Sequence, residues 1–166
     1  STVLRAGRAI LAGGSEAQRQ GLLPKTAAGE VLLSFALTEA SARPDAATVR
    51  TSARAVGDGY VLNGTKHFVE FAEQAGQMLV VARTSESANP GQGLTMFLVD
   101  ARAPGIEYIP LQTLALQPQA KVVLKDVRVA ATGVVGRVDH AWAVLDPVIQ
   151  AATAIVNAQL YEAKKR

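Results

Sequence analysis

The sequence predicts a mainly β fold, an antiparallel barrel or sandwich, with α-helices at both ends of the chain. The middle of the chain holds short apolar stretches at regular spacing, separated by Gly, Asn, Asp and Pro, as in antiparallel strands joined by turns. Apolar residues at helical spacing are concentrated near the start and the end of the chain. These observations predict one β-domain between helical segments.

Residues 2–20 are predicted to be helical, with an interruption at Gly13 and Gly14. Ser15 is a suitable N-cap for a second, short helix that is expected to end near Gly21. Pro24 then marks a connection. The helical prediction depends on apolar residues that share one face, namely Val3, Leu4, Ala6, Ala9, Ile10 and Leu11.

The middle of the chain predicts eight strands and two tight turns. Gly57-Asp58-Gly59 is one turn signal, and Asn63-Gly64 is typical of a type I′ hairpin. In residues 48–56 the alternation places Val49, Thr51, Ala53 and Ala55 on one face. The predicted strands are 31–37, 48–56, 60–62, 65–71, 77–84, 94–100, 105–110 and 121–129.

The end of the chain predicts a helix that begins at Asp146-Pro147, since aspartate caps helices and proline suits the first helical position. Its apolar stripe has no later element to cover it, so the chain is expected to be a fragment or to pack against a partner. The stripe comprises Val148, Ile149, Ala152, Ile155, Val156 and Leu160.

Composition excludes several classes of function. The 166 residues are 49% apolar and carry a net charge of +3, which argues against a disordered tail and against a nucleic-acid-binding protein. With no cysteine, disulfides and thiolate metal sites are excluded and a cytoplasmic location is favoured. His67 and His140 are far apart in sequence, so no metal site is expected. No segment predicts a membrane span.

Two segments resemble the flavin-facing wall of the acyl-CoA dehydrogenase family. They read Phe35-Ala-Leu-Thr-Glu-Ala-Ser-Ala-Arg-Pro-Asp45 and Asp58-Gly-Tyr-Val-Leu-Asn-Gly-Thr-Lys-His-Phe-Val-Glu70. Asp126-Val-Arg-Val129 is similar to a late strand of the family's barrel. The resemblance implies three parts: the end of an N-terminal helical domain (1–33), the middle β-barrel (34–138) and the first helix of a truncated C-terminal helical domain (139–166).

The resemblance also implies FAD as cofactor and an acyl-CoA thioester as substrate, oxidised between its α and β carbons. It places Phe35, Leu37, Thr38, Phe68 and Glu70 at the flavin. Three of them have a simpler alternative. Thr38 can satisfy its own loop, Phe68 can be a core aromatic residue, and Glu70 can be a solvated or salt-bridged group.

This sequence departs from the family pattern at ligand positions. Arg43-Pro44 stands where the family has Gly-Ser, and proline removes a backbone donor for the pyrophosphate. Arg43 and Pro44 remain the candidates for substrate contact in that loop. Glu70 replaces a hydroxyl beside the flavin, and a carboxylate there disfavours reduction of the ring. FAD binding is therefore expected to be weakened or lost.

The resemblance places the catalytic glutamate beyond Arg166, so this segment alone is expected to be inactive. Asp146 is the nearest candidate carboxylate, with a helix cap as the alternative role. Three hypotheses remain: an FAD-dependent acyl-CoA dehydrogenase, a degenerate non-catalytic subunit that supports an active paralogue, and a β-barrel interaction module without cofactor. A homo- or hetero-oligomer is expected, with no nucleic-acid or membrane partner.

Overall fold

A computed structural model of the chain describes residues 2–114 and 117–164, and the side chains of 3–114 and 117–155. Its helices are α1 (Thr2–Gly13), α2 (Glu16–Ala27) and α3 (Ala141–Lys164). Its strands are β1 (Leu33–Ala36), β2 (Ser52–Val56), β3 (Gly59–Glu70), β4 (Gln77–Arg83), β5 (Leu94–Asp100), β6 (Ile106–Leu111), β7 (Gln119–Ala130) and β8 (Val134–Val135). Two 3₁₀ turns occupy Ala46–Thr48 and Ala131–Gly133.

The strands form one sheet in the order β6-β7-β3-β2-β4-β5-β8, with β1 paired to β4. Most neighbours are antiparallel, but β1–β4 and a single residue pair of β2–β4 are parallel. Within the described residues the end strands β6 and β8 do not pair, so the sheet is not closed. The predicted mainly β architecture with flanking helices is confirmed, although it is an open, mixed sheet.

Two apolar cores share the central strand β4. Met78, Val80 and Ala82 pack in one cluster with side chains of β3, β5 and β7. Leu79 and Val81 point the opposite way, into a cluster with β1, α1 and α3. A strand buried on both faces reads as a continuous apolar run, which is how β4 appears in the sequence. Buried apolar side chains therefore hold α1 and α3 against one face of the sheet.

The second helix differs from the prediction at its end. Ser15 does cap α2: its Oγ accepts a hydrogen bond from Gln18 N at 3.2 Å, and Gln18 Oε1 accepts one from Ser15 N at 2.9 Å. The end near Gly21 is wrong, because α2 continues to Ala27 with Pro24 inside it. No side chain of α2 is buried, so water can satisfy the carbonyl that proline leaves without a donor.

The predicted start of α3 at Asp146-Pro147 is also wrong. The helix begins at Ala141, and both Asp146 and Pro147 are exposed within it. Ala141, Leu145 and Val148 are buried on the sheet side, and this packing outweighs the local start signal of the Asp-Pro pair. In the predicted stripe Ile155 is exposed, and the side chains of Val156 and Leu160 lie outside the described residues.

The predicted hairpin at Asn63-Gly64 does not form, since both residues lie inside the continuous strand β3. The Asn63 side chain accepts from Asp126 N at 2.9 Å and donates to Asp126 Oδ1 at 3.0 Å, which binds it to an irregular pairing with β7. The hairpin at Gly57-Asp58 does join β2 to β3, with Gly57 at a φ of 59°.

The first half of the predicted strand 48–56 is wrong as well, because β2 begins at Ser52. Asp45 Oδ1 accepts a hydrogen bond from Ala47 N at 2.9 Å and caps a 3₁₀ turn there instead. Val49, Thr51 and Ala53 are buried, whereas Ala55 is exposed.

Among the helices of the described chain, none is long and apolar enough to cross a membrane.

Candidate functional site

A cleft of about 200 Å³ opens where β1 and β3 meet the start of α1. All five residues predicted to contact a cofactor line it, namely Phe35, Leu37, Thr38, Phe68 and Glu70. The remaining lining residues are Arg5, Ala42, His67 and Gln119. The structure therefore brings the two sequence motifs together in one place, and the cofactor role of these residues stays a prediction.

The position of Phe68 comes from a β-bulge in β3. Lys66 pairs with Val122 and Val69 pairs with Ala120, so His67 and Phe68 together face the single residue Lys121. Phe68 has a φ of 55°, in the left-handed region that residues with a side chain rarely adopt. Its side chain is 45% exposed, so Phe68 is a cleft residue rather than a core aromatic.

Two hydrogen bonds to backbone carbonyl groups hold the two motifs in register. His67 N donates to Thr38 O at 2.8 Å. Ser34 Oγ, which is buried, donates to Glu70 O at 2.6 Å. The walls on either side of the cleft are thus joined to each other, so the cleft belongs to the sheet framework.

A buried ion pair lies behind the cleft wall. Lys66 is fully buried, and its Nζ donates to Glu39 Oε1 at 2.7 Å and to Leu37 O at 3.2 Å. Glu39 also accepts from the backbone N–H groups of Arg50 at 2.8 Å and Thr51 at 2.9 Å. Because Leu37 and Thr38 line the cleft, the pair supports the loop that presents them.

The two ionisable groups respond differently to burial. Burial lowers the pKa of Lys66 to about 8, against the attraction and hydrogen bond of Glu39. Burial raises the pKa of Glu39, but the charge and hydrogen bond of Lys66 and the bonds from Thr51 outweigh it and leave the pKa below its ordinary value. Both groups are therefore charged at neutral pH.

Sequence reasoning did not assign roles to Glu39, Lys66 or Arg5. For the pair a signal existed, since Glu39 follows Thr38 in the first motif and Lys66 follows Thr65 in the second, so two opposite charges lie in the two segments that the resemblance brings together. Arg5 lies among the apolar residues of α1, outside both motifs. The chain distance between Arg5 and the motifs hides their proximity in the fold.

Three other residues predicted for the site, Arg43, Pro44 and Asp146, are not among those that line the cleft. Arg43 and Pro44 are exposed in the loop after β1 and are not among the residues that line the cleft, although Ala42 of the same loop does line it, at a φ of 57°. Asp146 is exposed on α3 and is likewise not a lining residue. Across the described residues no group of three or more His, Cys, Asp or Glu side chains is placed to hold a metal ion.

Residues 34–127, more than half of the chain, match the family model described as "Acyl-CoA dehydrogenase, middle domain". A relative from Mycobacterium bovis, named acyl-CoA dehydrogenase fadE12, is 33% identical over 150 residues, which are 86% of this chain and 39% of the relative. This chain belongs to the acyl-CoA dehydrogenase family.

Solved structures agree with this assignment. The glutaryl-coenzyme A dehydrogenase glutaryl-CoA complex matches with a TM-score of 0.80 and 29% identity, covering 87% of this chain and 37% of that one. The ChsE4-ChsE5 complex from Mycobacterium tuberculosis matches with a TM-score of 0.79 and 28% identity, covering 87% and 38%. The chain thus spans about two fifths of the length of these relatives.

Proposed function

We propose that the full-length protein is an FAD-dependent acyl-CoA dehydrogenase and that the cleft holds the flavin ring. The observation that carries the proposal is the convergence of Phe35, Leu37, Thr38, Phe68 and Glu70 on one cleft. Two motifs separated in sequence supply these residues, and hydrogen bonds of the Thr38 carbonyl and the Ser34 hydroxyl join the motifs there.

The residues present fit an isoalloxazine ring. Phe68 offers an exposed aromatic side chain for stacking, and Phe35 and Leu37 supply apolar contact. Thr38 lines the same cleft, and its hydroxyl is a group that can hydrogen-bond a polar ring atom. When bound, FAD supplies the hydride acceptor. The protein contributes orientation and exclusion of water, and Glu70 places a negative charge beside the ring.

The reaction needs a base that removes the proton from the α carbon of the thioester. No residue of this cleft is proposed for that role. By the family resemblance, that base is a glutamate beyond Arg166. We extend the proposal to three structural parts, 1–33, 34–138 and 139–166, of which the middle part supplies the flavin wall.

The absence of cysteine supports a cytoplasmic location, where the protein would act in lipid metabolism. Leu4 and Leu11 are exposed on α1, which supports burial of this helix face against another domain or subunit.

The test is made on the full-length protein. Purified protein is expected to show visible flavin absorbance and to reduce a dye with one or more acyl-CoA thioesters. Phe68→Ala is expected to weaken FAD binding, measured by flavin fluorescence, because the stacking surface is lost. Ile109→Ala is the matched control, an exposed apolar residue of β6 that does not line the cleft. Colourless protein that cannot be reconstituted with FAD would refute the proposal.

A second candidate is a non-catalytic subunit that supports an active dehydrogenase chain. Glu70 in the cleft and the exposed Arg43-Pro44 loop favour it, since both depart from the family's ligand pattern. The similar ChsE4-ChsE5 structure is a complex of two differently named chains. Co-purification with a second dehydrogenase-like chain, together with inactivity alone, would support this candidate, and an active homo-oligomer would exclude it.

A further inference from the structure

The ion pair between Lys66 and Glu39 joins the two walls of the cleft. Glu39 directly follows Thr38 in the first motif, and Lys66 directly precedes the bulge residues His67 and Phe68 in the second. Lys66 Nζ donates to Glu39 Oε1 at 2.7 Å. This contact therefore connects the residues that present the aromatic side chain to the residues that present the hydroxyl.

The position of the Leu37 carbonyl depends on the same ammonium group. Lys66 Nζ donates to Leu37 O at 3.2 Å, and Leu37 lines the cleft. Lys66 is fully buried and Glu39 is 6% exposed, so water does little to screen their attraction. When Lys66 loses its proton, that attraction is lost and Glu39 remains buried as an anion without its cation. The geometry of the cleft therefore belongs to the protein with Lys66 charged.

Among the described residues, Glu39 is the charged partner of Lys66. The segment before β2 reaches Glu39 through the backbone N–H groups of Arg50 and Thr51, and Arg50 is exposed. Val122 of β7, which faces Lys66 in the strand register, is apolar. Burial lowers the pKa of Lys66 to about 8, and the attraction and hydrogen bond of Glu39 oppose this shift. Mildly alkaline solution is therefore expected to remove the proton.

We propose that Lys66 is a positioning residue: its charge holds the cleft in the shape that binds the flavin ring, so loss of its proton weakens ring binding. This proposal rests on the function proposed above. Lys66 is not among the residues that line the cleft, and it acts through Leu37 and Glu39. By reciprocity, FAD that binds the charged form more tightly takes up a proton when it binds in alkaline solution.

The first measurement is the FAD affinity of the full-length protein from neutral to alkaline pH, followed by flavin fluorescence. The affinity is expected to be constant at neutral pH and to fall above about pH 8. The fall is expected to reach up to about tenfold per pH unit, because the fraction of binding-competent protein falls by that factor. Calorimetry in buffers with different heats of ionisation is expected to detect proton uptake with FAD in the same range.

Three variants separate the pair from other groups that titrate in alkaline solution. Glu39→Gln removes the charge that supports protonated Lys66 and is expected to move the step in FAD affinity to lower pH. Lys66→Arg keeps a cation that alkaline solution does not deprotonate, so it is expected to abolish the step and to retain FAD binding at neutral pH. Lys125→Gln is the matched control. Lys125 pairs with Glu107 at 3.1 Å on the surface, and its loss is expected to leave the step in place.

A methyl NMR signal of Leu37 gives a readout that does not need the flavin. In the apoprotein with labelled leucine, this signal is expected to change with a midpoint at about pH 8 and to follow the shift caused by Glu39→Gln. Circular dichroism reports whether each variant is folded. If Lys66→Arg does not fold, the profiles of the unsubstituted protein and of Glu39→Gln still decide the role of Lys66.

The outcomes distinguish the two proposals. FAD affinity that is constant through alkaline pH, or a step that stays in place in Glu39→Gln, would overturn the positioning role of Lys66 and leave the flavin assignment standing. Colourless protein whose Leu37 signal still titrates with the pair would sink the flavin assignment alone. Colourless protein with a constant Leu37 signal would overturn both.

Discussion

Lys66 and Glu39 stabilise the cleft wall at the scale of single residues. Lys66 is fully buried and contacts both Glu39 and the carbonyl of Leu37, which itself lines the cleft. The pair therefore acts through the position of the loop after β1. Removing one partner leaves an uncompensated buried charge on the other, which is why a single substitution is costly.

Lys66→Met is expected to destabilise the protein by about 3–5 kcal/mol, the cost of breaking a buried ion pair from one side. Chemical denaturation with the linear extrapolation measures it. Lys125→Met is the matched control, since Lys125 pairs with Glu107 at 3.1 Å on the surface and is expected to cost about 1 kcal/mol or less. Equal effects of the two substitutions would contradict the role given to Lys66.

Glu39 gives a prediction for acid pH. Its pKa lies below the ordinary 4.5 in the folded protein, so the folded state binds that proton less readily than the unfolded state does. The stability from Glu39 is complete above pH 4.5 and is lost as the pH falls through the folded pKa. Unfolding free energies measured across acid pH are expected to fall less steeply in Glu39→Gln, and an unchanged acid slope would refute this.

Sequence reasoning brought together cleft residues that belong to a motif and missed cleft residues that lie in a distant part of the chain. Phe68 and Thr38 came from the family motifs, and the fold places both in the cleft. Arg5 lies in another element, and only the folded chain brings it to Phe35. Among the described residues the Nε atom of Arg5 has no hydrogen-bond partner, and a linear sequence pattern does not show this.

At the scale of elements, β3 shows how local turn chemistry loses to tertiary contacts. Asn63-Gly64 is a strong hairpin signal, yet the strand runs through it because Asn63 binds Asp126 across β7. Gly64 is needed for a different reason. A Cβ there would lie 2.6 Å from Thr51 Cα, so glycine permits the close approach of β3 to the segment before β2.

Gly64→Ala is expected to destabilise the protein by about 1–3 kcal/mol, the range for overpacking and backbone shifts. Thermal unfolding followed by circular dichroism measures it. Gly21→Ala in α2 serves as the comparison, since nothing lies within 4 Å of its added Cβ. That change is expected to raise stability by up to about 1 kcal/mol, since alanine favours helix. Both variants moving in the same direction would contradict the account of Gly64.

Element prediction was best where burial and periodicity agree. β5 was predicted as residues 94–100 and the structure has Leu94–Asp100, because a run that is buried almost throughout leaves few alternatives. The two-residue strand β8 is too short to carry any periodic signal, and it forms because Val134 and Val135 pair with β5. The start of α3 was misplaced because its packing partners, α1 and β5, are distant in the sequence.

At the scale of the whole molecule, the sheet divides the interior into two apolar cores that stabilise different parts of the fold. The cluster between β3, β4, β5 and β7 supports the sheet itself. The cluster between the sheet and the helices holds α1 and α3 in place, and α1 carries Arg5 to the cleft. The shape of the cleft therefore depends on helix docking as well as on strand pairing.

Leu145→Ala in α3 is expected to destabilise the protein by about 2–5 kcal/mol, because Leu145 is fully buried in the second cluster. Hydrogen exchange is expected to rise along α3 more than along β4, and mass spectrometry of peptides measures it. Ala143→Gly, at an exposed position two residues earlier, is the control for helix propensity and is expected to cost about 1 kcal/mol. Uniform exchange across the molecule would contradict separate docking of α3.

The bulge at His67 and Phe68 separates binding from folding. Lys66 and Val69 pair with Val122 and Ala120, which are two positions apart on β7, so the core of the sheet needs only one residue between them. Deleting Phe68 would leave an ordinary strand and remove its aromatic side chain from the cleft. A descendant of this gene could thus lose this aromatic side chain from the cleft by a single codon deletion and still keep its architecture.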